Sequence, residues 1–139
     1  MNDLGRKHTL APVAERVLID SSAAAPYYYF TIDLNYTTVL RTVANGSNFT
    51  LSLQVQNWAA TTDAVLNTAE MKTVTFIVQN GATAYKLTTL NIDGTAQTVK
   101  WAGGSAPTGG ASAYDVYTFT IIKTAASTYT VLGNFASFK

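Results

Sequence analysis

The residues that could perform acid–base or metal chemistry are few in this chain, and they are widely spaced. No two carboxylates stand two apart on a strand or three to four apart on a helix; they are Asp3, Glu15, Asp20, Asp33, Asp63, Glu70, Asp93 and Asp115. A hydrolytic pair needs two carboxylates that converge on one bond, and distant residues can converge only through the fold. We interpret Asp93, which precedes Gly94, as a turn residue and Asp115 as an edge residue. The acids therefore give no indication of an enzyme.

The other chemical groups point the same way. His8, the single histidine, follows Lys7, and the absence of cysteine excludes disulfides and thiolate metal sites. The run GGSAPTGG (103–110) lacks the Gly-Lys-Ser/Thr ending of a phosphate loop and does not open a helix, so we expect a flexible loop between strands. We predict no catalytic residue, no metal site and no cofactor.

Four aromatic residues are better candidates for a binding surface. In YYYFTIDL (27–34), strand alternation makes Tyr27 and Tyr29 point outward, away from the core. Trp58 ends a strand pattern, and the strand phase of Trp101 favours burial in the core or an interface. Exposed aromatic rings can stack on sugars, but on strands they more often mark protein–protein contacts. We predict that Tyr27, Tyr29, Trp58 and Trp101 form a subunit interface or a ligand platform.

The clearest strand pattern in the chain is FTLSLQVQ, residues 49–56. Alternation predicts that one set of side chains is buried (Phe49, Leu51, Leu53 and Val55) and that the other faces outward (Thr50, Ser52, Gln54 and Gln56). Residues 60–71 form the one plausible helical segment, with Thr61 or Thr62 as its cap.

Two hairpins are also expected, and turn signals recur at close spacing. TFIVQNGATAYKL (75–87) turns around Asn80-Gly81, and TFTIIKTAASTYTVL (118–132) forms the second hairpin. Eight or nine short strands result, without alternating helices. The sequence predicts an all-β fold, an antiparallel β-sandwich or jelly roll with at most one short helix.

The composition limits the partners. Charged residues make up 12% of the 139 residues, against about 25% in ordinary soluble domains. The net charge of +1 provides no basic field for nucleic acid or for an anionic membrane surface. No apolar run approaches the ~20 residues of a membrane span. A surface of neutral polar side chains suits packing against copies of the chain or against a larger assembly.

Two parts of the chain are distinguished by pattern: an N-terminal docking arm (1–12) and a β-sandwich domain (13–139). The arm shows no sustained periodicity and lacks the apolar stretch of a signal peptide. We expect it to lie on another chain, with Leu4 and Leu10 in apolar contacts and Arg6 and Lys7 near carboxylates.

Several spaced motifs in the second half of the chain resemble a known module. They are TFIVQNGATAY (75–85), IDGTAQTVKWAGGSAPT (92–108) and TVLG (130–133). Over residues 48 to 135 or so, the chain resembles a module in virion structural proteins of tailed phages of marine bacteria and cyanobacteria, often at tail-fibre tips. At Trp58 that family usually has a Val-Pro or similar turn, so this region departs from the pattern.

The resemblance implies a non-enzymatic virion protein, located on the capsid surface or in a tail appendage. The short length and the basic arm favour a capsid decoration protein that binds the major capsid protein as a homo-oligomer, and the resemblance implies a homotrimer. The alternative is a tail-fibre or tail-tip adhesin module, associated with tail proteins, that binds a host surface glycan or protein. A carbohydrate-binding module is a third reading, and we expect no nucleic acid partner and no membrane insertion.

Overall fold

A computed structural model gives the structure of the chain and describes residues 16–22, 27–31, 37–54 and 60–139. These residues form ten strands: β1 (Val17–Asp20), β2 (Tyr27–Thr31), β3 (Thr38–Asn45), β4 (Phe49–Gln54), β5 (Met71–Asn80), β6 (Leu87–Ile92), β7 (Thr95–Gln97), β8 (Val99–Trp101), β9 (Tyr114–Ala125) and β10 (Thr128–Phe138). The same ranges contain one short helix, α1 (Thr62–Val65), and a 3-10 turn (Ala102–Gly104). None of their helices is long and apolar enough to cross a membrane.

The strands form two sheets that share one core. The six-stranded sheet has the order β1-β3-β5-β9-β10-β8, and the four-stranded sheet has the order β2-β4-β6-β7. Apolar side chains from both sheets meet between them, including Phe49, Leu51, Leu53 and Leu90 from the four-stranded sheet and Val74, Phe76, Tyr117, Phe119 and Val131 from the six-stranded sheet. The predicted all-β sandwich with one short helix is therefore confirmed.

The pairing within the sheets differs from the antiparallel arrangement that we expected. Five strand pairs are parallel, namely β1–β3, β3–β5, β2–β4, β4–β6 and β8–β10. Antiparallel pairing is confined to β5–β9, β9–β10 and β6–β7. The chain changes sheets after each of the first five strands, so successive strands of one sheet run in the same direction.

Only one of the two expected hairpins forms. Strands β9 and β10 pair as predicted, but β5 and β6 belong to different sheets, so residues 81–86 cross the sandwich instead of turning back. A two-residue hairpin does form at Asp93-Gly94, where φ is 49° and 83° respectively. Positive φ at both positions is the requirement of a type I′ turn, which confirms that Asp93 is a turn residue.

Alternation along β4 was predicted well by the sequence. Phe49, Leu51 and Leu53 are at most 1% exposed, as expected. Ser52 is buried as well, contrary to expectation, because β4 is an interior strand and the Asn91 side chain on β6 donates a hydrogen bond to the Ser52 hydroxyl (3.4 Å). Val55 and Gln56 lie outside the described residues.

The short helix α1 is tied to the Asp93-Gly94 turn and to strand β9. Of the two threonines expected as caps, Thr61 is the one that caps the helix, accepting a hydrogen bond from the Ala64 amide (3.1 Å). The helix is shorter than the segment 60–71 that we expected to be helical. The Asp93 carboxylate accepts from the Thr62 amide and hydroxyl, both at 2.9 Å. On the other side, the buried Lys123 ammonium lies 2.7 Å from the Asp63 carboxylate. The helix is thereby fixed on both the four-stranded and the six-stranded sheet.

The Asp63–Lys123 pair predicts an acid dependence of stability. Hydrogen bonds from Lys123 and from the Ser127 amide hold the pKa of Asp63 below its ordinary value of 3.8. A lowered folded-state pKa gives stability that is present above the unfolded pKa and is lost as pH falls through the folded value. We expect the melting temperature of Asp63→Asn to fall less than that of the wild type between about pH 5 and about pH 2.

A matched control for this prediction is Thr61→Ala, which removes the neighbouring cap without removing a titrating group. Its melting temperature is expected to be lower at every pH but to keep the wild-type slope. Equal slopes for Asp63→Asn and the wild type would contradict the assignment.

Candidate functional site

A buried polar chain links three adjacent strands of the six-stranded sheet, β3, β5 and β9, at one end of the sandwich. Its members are Asn45, Asn80 and Asp115, and each is at most 6% exposed. The Asn45 amide donates to the Asn80 side-chain oxygen (3.1 Å), and the Asn80 amide donates to the Asp115 carboxylate (2.9 Å). Asp115 was expected at an edge, but this was wrong: it lies on β9, which is paired on both sides, and it is completely buried.

Two of the sequence motifs meet at this buried polar chain. The side-chain amide of Asn80 donates to the backbone oxygens of Tyr85 and Gly110, both at 3.0 Å. The backbone amide of Gly110 donates to the Asp115 carboxylate (2.9 Å). The Ser112 amide donates to the Gly81 oxygen (2.7 Å). NGATAY (80–85) and the end of GGSAPTGG are thus held together, so this end of the loop is fixed and the expectation of a flexible loop is wrong there.

The solvent-facing side of the six-stranded sheet, which we call the outer face, is organised in rows. Paired residues on adjacent strands point to the same side of a sheet. One row runs Ile19–Leu40–Ile77–Val116–Ala136, and the next runs Val17–Thr38–Thr75–Thr118–Asn134. Further rows are Thr73–Thr120–Leu132–Lys100, Met71–Ile122–Thr130 and Gln79–Tyr114–Phe138. Threonine and aliphatic side chains dominate this surface.

The outer face collects most of the exposed apolar surface of the described residues. Of the eight large hydrophobic side chains exposed in that part of the chain, six lie on it: Val17, Ile19, Met71, Tyr114, Leu132 and Phe138. Within the rows the single charged residue is Lys100, on the edge strand β8. Exposed large apolar side chains gathered on one sheet surface mark an interaction site, because isolated ones would be scattered over the molecule.

Edge strand β1, which supplies Val17 and Ile19 to the outer face, is held in place by a buried arginine. Arg41 on β3 is completely buried, and its guanidinium donates to the Asp20 carboxylate (2.7 Å) and to the Ser22 backbone oxygen (2.8 Å). These bonds fix the end of β1 on its neighbour, so the two apolar residues keep their places in the rows.

The solvent-facing side of the four-stranded sheet has a different character. Its described outward positions on the central strands are Thr50, Ser52 and Gln54 on β4 and Thr89 and Asn91 on β6. All five side chains are hydroxyls or amides. At these central positions the four-stranded sheet is polar, whereas the outer face carries exposed large apolar side chains.

Of the predicted aromatic platform, Trp101 has a fully described environment. It is half-buried, and its ring contacts Tyr117 and Phe119 edge-on, with centroids 6.3 and 5.8 Å away. A Cβ on Gly133 would lie 2.7 Å from this ring, so glycine is required beneath it. One side of Trp101 thus belongs to the core, as its strand phase indicated.

The remaining predicted site residues are placed only in part. Tyr27 and Tyr29 lie on β2 and pair in register with Thr50 and Ser52 of β4. Trp58 lies outside the described residues, as do the arm residues Leu4, Arg6, Lys7 and Leu10. The structure does not bring Trp101 to the same sheet as Tyr27 and Tyr29, because β8 and β2 belong to different sheets.

Two carboxylates that looked unrelated in the sequence converge beside α1. They line a pocket of about 220 Å³ together with Thr61, Ile92, Thr95, Gln97, Ser127 and Tyr129. Asp63 is bound by Lys123 and Asp93 by the start of the helix, and burial, together with both charges, raises the pKa of Tyr129 to about 12. In the described ranges no group of three His, Cys, Asp or Glu residues could hold a metal ion.

Sequence patterns alone did not identify the outer face, although one signal was present. Residues 73–79 and 114–122 alternate between core side chains and uncharged outward ones, with TVT and TFT in register across β5 and β9. Two long strands whose outward-pointing side chains carry no charge are the feature that could have indicated a sheet surface covered by another protein.

Fold and surface together define an all-β, two-sheet sandwich with one apolar, nearly uncharged outer face. No family model matches the chain, and no similar protein was found among curated proteins or among solved structures.

Proposed function

We propose that this chain is a non-enzymatic structural protein of a phage virion, a decoration protein that binds the major capsid protein as a homo-oligomer. The observation that carries the proposal is the outer face, which places six exposed large apolar side chains on one sheet surface with a single charge among its rows. A surface of this kind is stabilised when another protein surface covers it. In a large assembly, each copy of a structural protein is covered in this way by its neighbours.

The motifs behind the resemblance support the proposal in a second way. Asn80, Gly109 and Gly110 serve the buried polar chain and its close backbone contacts, and the Gly81 oxygen accepts a hydrogen bond from the Ser112 backbone amide. Their role is to hold the sandwich together, so the shared motifs are consistent with a shared structural module in virion proteins.

The alternative, a tail-fibre or tail-tip adhesin module, is favoured by the parallel half of the fold. Strands β1 to β6 alternate between the two sheets, as the strands of a β-solenoid do, and β1 and β2 are edge strands of the two sheets. A preceding coil of a fibre shaft would add strands at these edges.

Purified particles test the proposal and separate the two niches. Particles prepared without the chain are mixed with the purified protein and sedimented, and we expect the protein to sediment with full capsids and with tailless heads. Binding only to tails would favour the adhesin, and sedimentation with neither would contradict the virion assignment.

The arm is proposed to attach the sandwich to its partner. It lies outside the described residues, and the prediction concerns the sequence Leu4–Leu10. Buried apolar area contributes about 25 cal/mol per Å², whereas exposed ion pairs add at most about 1 kcal/mol each, so Leu4 and Leu10 should dominate. We expect deletion of residues 1–12 to leave the melting temperature nearly unchanged and to abolish sedimentation with the particles.

A variant with both arm cations replaced, Arg6→Ala with Lys7→Ala, serves as the control and should retain most of the binding. Unchanged binding by the deleted protein would show that the arm is not the attachment element.

A further inference from the structure

We infer that the partner of the outer face is a second copy of this chain, packed face to face around a two-fold axis. This inference rests on the proposed function, since it names the occupant of the same assembly surface. The result is a dimer in which two six-stranded sheets form the central layers, in place of the homotrimer that the resemblance implies.

The distribution of charge favours a second copy over a different partner. Complementary charges usually determine which partner a surface selects. In the rows of the outer face only Lys100 is charged, and it lies on β8, the strand at the opposite end of the sheet from β1. Two such faces meet without repulsion across their centres, where Thr75, Ile77, Val116 and Thr118 lie.

The size and shape of the outer face also fit a copy of itself. Six strands about 4.8 Å apart and five rows about 6.8 Å apart give an area on the order of 700 Å². A stable interface of standard size buries about 800 Å² on each partner. Apart from a concavity of about 490 Å³ at the β8 end, lined by Lys100, Trp101 and Leu132 among others, rows of mostly β-branched side chains make a shallow surface. Stacked sheets with such surfaces interdigitate at about 10 Å spacing. The area of one face is therefore close to what one side of a stable dimer interface buries.

The position of the apolar residues is consistent with a two-fold arrangement. In a two-fold contact the same patch serves both partners, so each residue is used twice. The row Ile19–Leu40–Ile77–Val116–Ala136 crosses five adjacent strands of the six-stranded sheet (β1, β3, β5, β9 and β10), so it supplies apolar contacts over most of the width of the sheet. The four-stranded sheet offers only hydroxyl and amide groups at its described central positions and lacks this property.

Sedimentation equilibrium of the full chain and of two lysine variants tests the inference. Ile77→Lys places a charge near the centre of the outer face, and Thr89→Lys places the same charge on the solvent-facing side of the four-stranded sheet. We expect the wild type and Thr89→Lys to be dimers at micromolar concentration. We expect Ile77→Lys to raise the dissociation constant about 100-fold or more, because each substitution occurs twice in the contact.

Circular dichroism melting establishes that each variant is folded, and Thr118→Lys on the same face replaces Ile77→Lys if the latter is not. A monomeric wild type, or equal association by all variants, would overturn the inference. A trimer would overturn the two-fold arrangement. A dimer that does not sediment with particles would support the inference and contradict the proposed function, so the two can fail separately.

Discussion

Replacing Asp115 by alanine is expected to lower the free energy of unfolding by about 3–4 kcal/mol, because it leaves buried donors without an acceptor. The carboxylate accepts from the side-chain amide of Asn80 and the backbone amide of Gly110, both at 2.9 Å, and from the Ser137 hydroxyl at 2.7 Å. The Gly110 amide has a fixed position and loses its acceptor outright. Urea denaturation followed by tryptophan fluorescence measures the change.

Asp115→Asn is the matched control, because asparagine has the same shape. Its oxygen can accept from Gly110 and Asn80 while its amide donates to the Ser137 hydroxyl, so we expect a loss below about 1 kcal/mol. Equal losses for the alanine and asparagine variants would show that the negative charge, and not the hydrogen bonds, holds this end of the sandwich.

Gly109→Ala is expected to destabilise the fold by about 3 kcal/mol or more, since two effects add at this position. Its φ of +84° strains any residue with a Cβ, and that Cβ would lie 2.4 Å from the Tyr85 backbone oxygen. The oxygen cannot move away freely because it accepts a hydrogen bond from Asn80 (3.0 Å).

Gly94→Ala separates the two effects. Gly94 has nearly the same φ, +83°, and nothing lies within 4 Å of its added Cβ, so only the backbone strain of about 1–2 kcal/mol applies. Thermal unfolding of both variants should show a clear excess loss for Gly109→Ala. Similar losses would contradict the close packing of the NGATAY and GGSAPTGG motifs.

Local features of the fold were predictable from the sequence because they depend on neighbouring residues. The alternation of Phe49, Leu51 and Leu53 determines which face of β4 is buried, and Asp93-Gly94 has the residue types of a type I′ turn. Thr61, one of the two threonines expected as the cap, does cap the helix. Each of these predictions needed only a few adjacent residues.

The pairing of strands and the burial of polar side chains were not predictable in the same way. Asn80-Gly81 has the residue types of a hairpin turn, but the Asn80 side chain bonds Gly110 and Asp115, far away in the chain, and β5 and β6 separate into different sheets. Asp115 looked like an edge residue because the partners that allow its burial lie on other elements. Long-range hydrogen bonds thus overrode the local turn signal.

The candidate site shows the same division. The strand phase of Trp101 predicted its contact with the core, whereas the packing against other copies or a larger assembly that the low charge of the chain indicates stays a prediction. The row through Leu40, Ile77 and Val116 exists only because three strands pair in one register. Single-strand patterns do not contain that register, so the outer face becomes visible only in the assembled sheet.

A cryo-EM map of purified particles tests the central claim most directly, namely that this chain is a virion component with its outer face covered. We expect copies of the sandwich at regular positions on the capsid, with the row from Ile19 to Ala136 buried against another sheet. Particles that contain no copy of the chain, or copies whose outer face is open to solvent, would contradict the account.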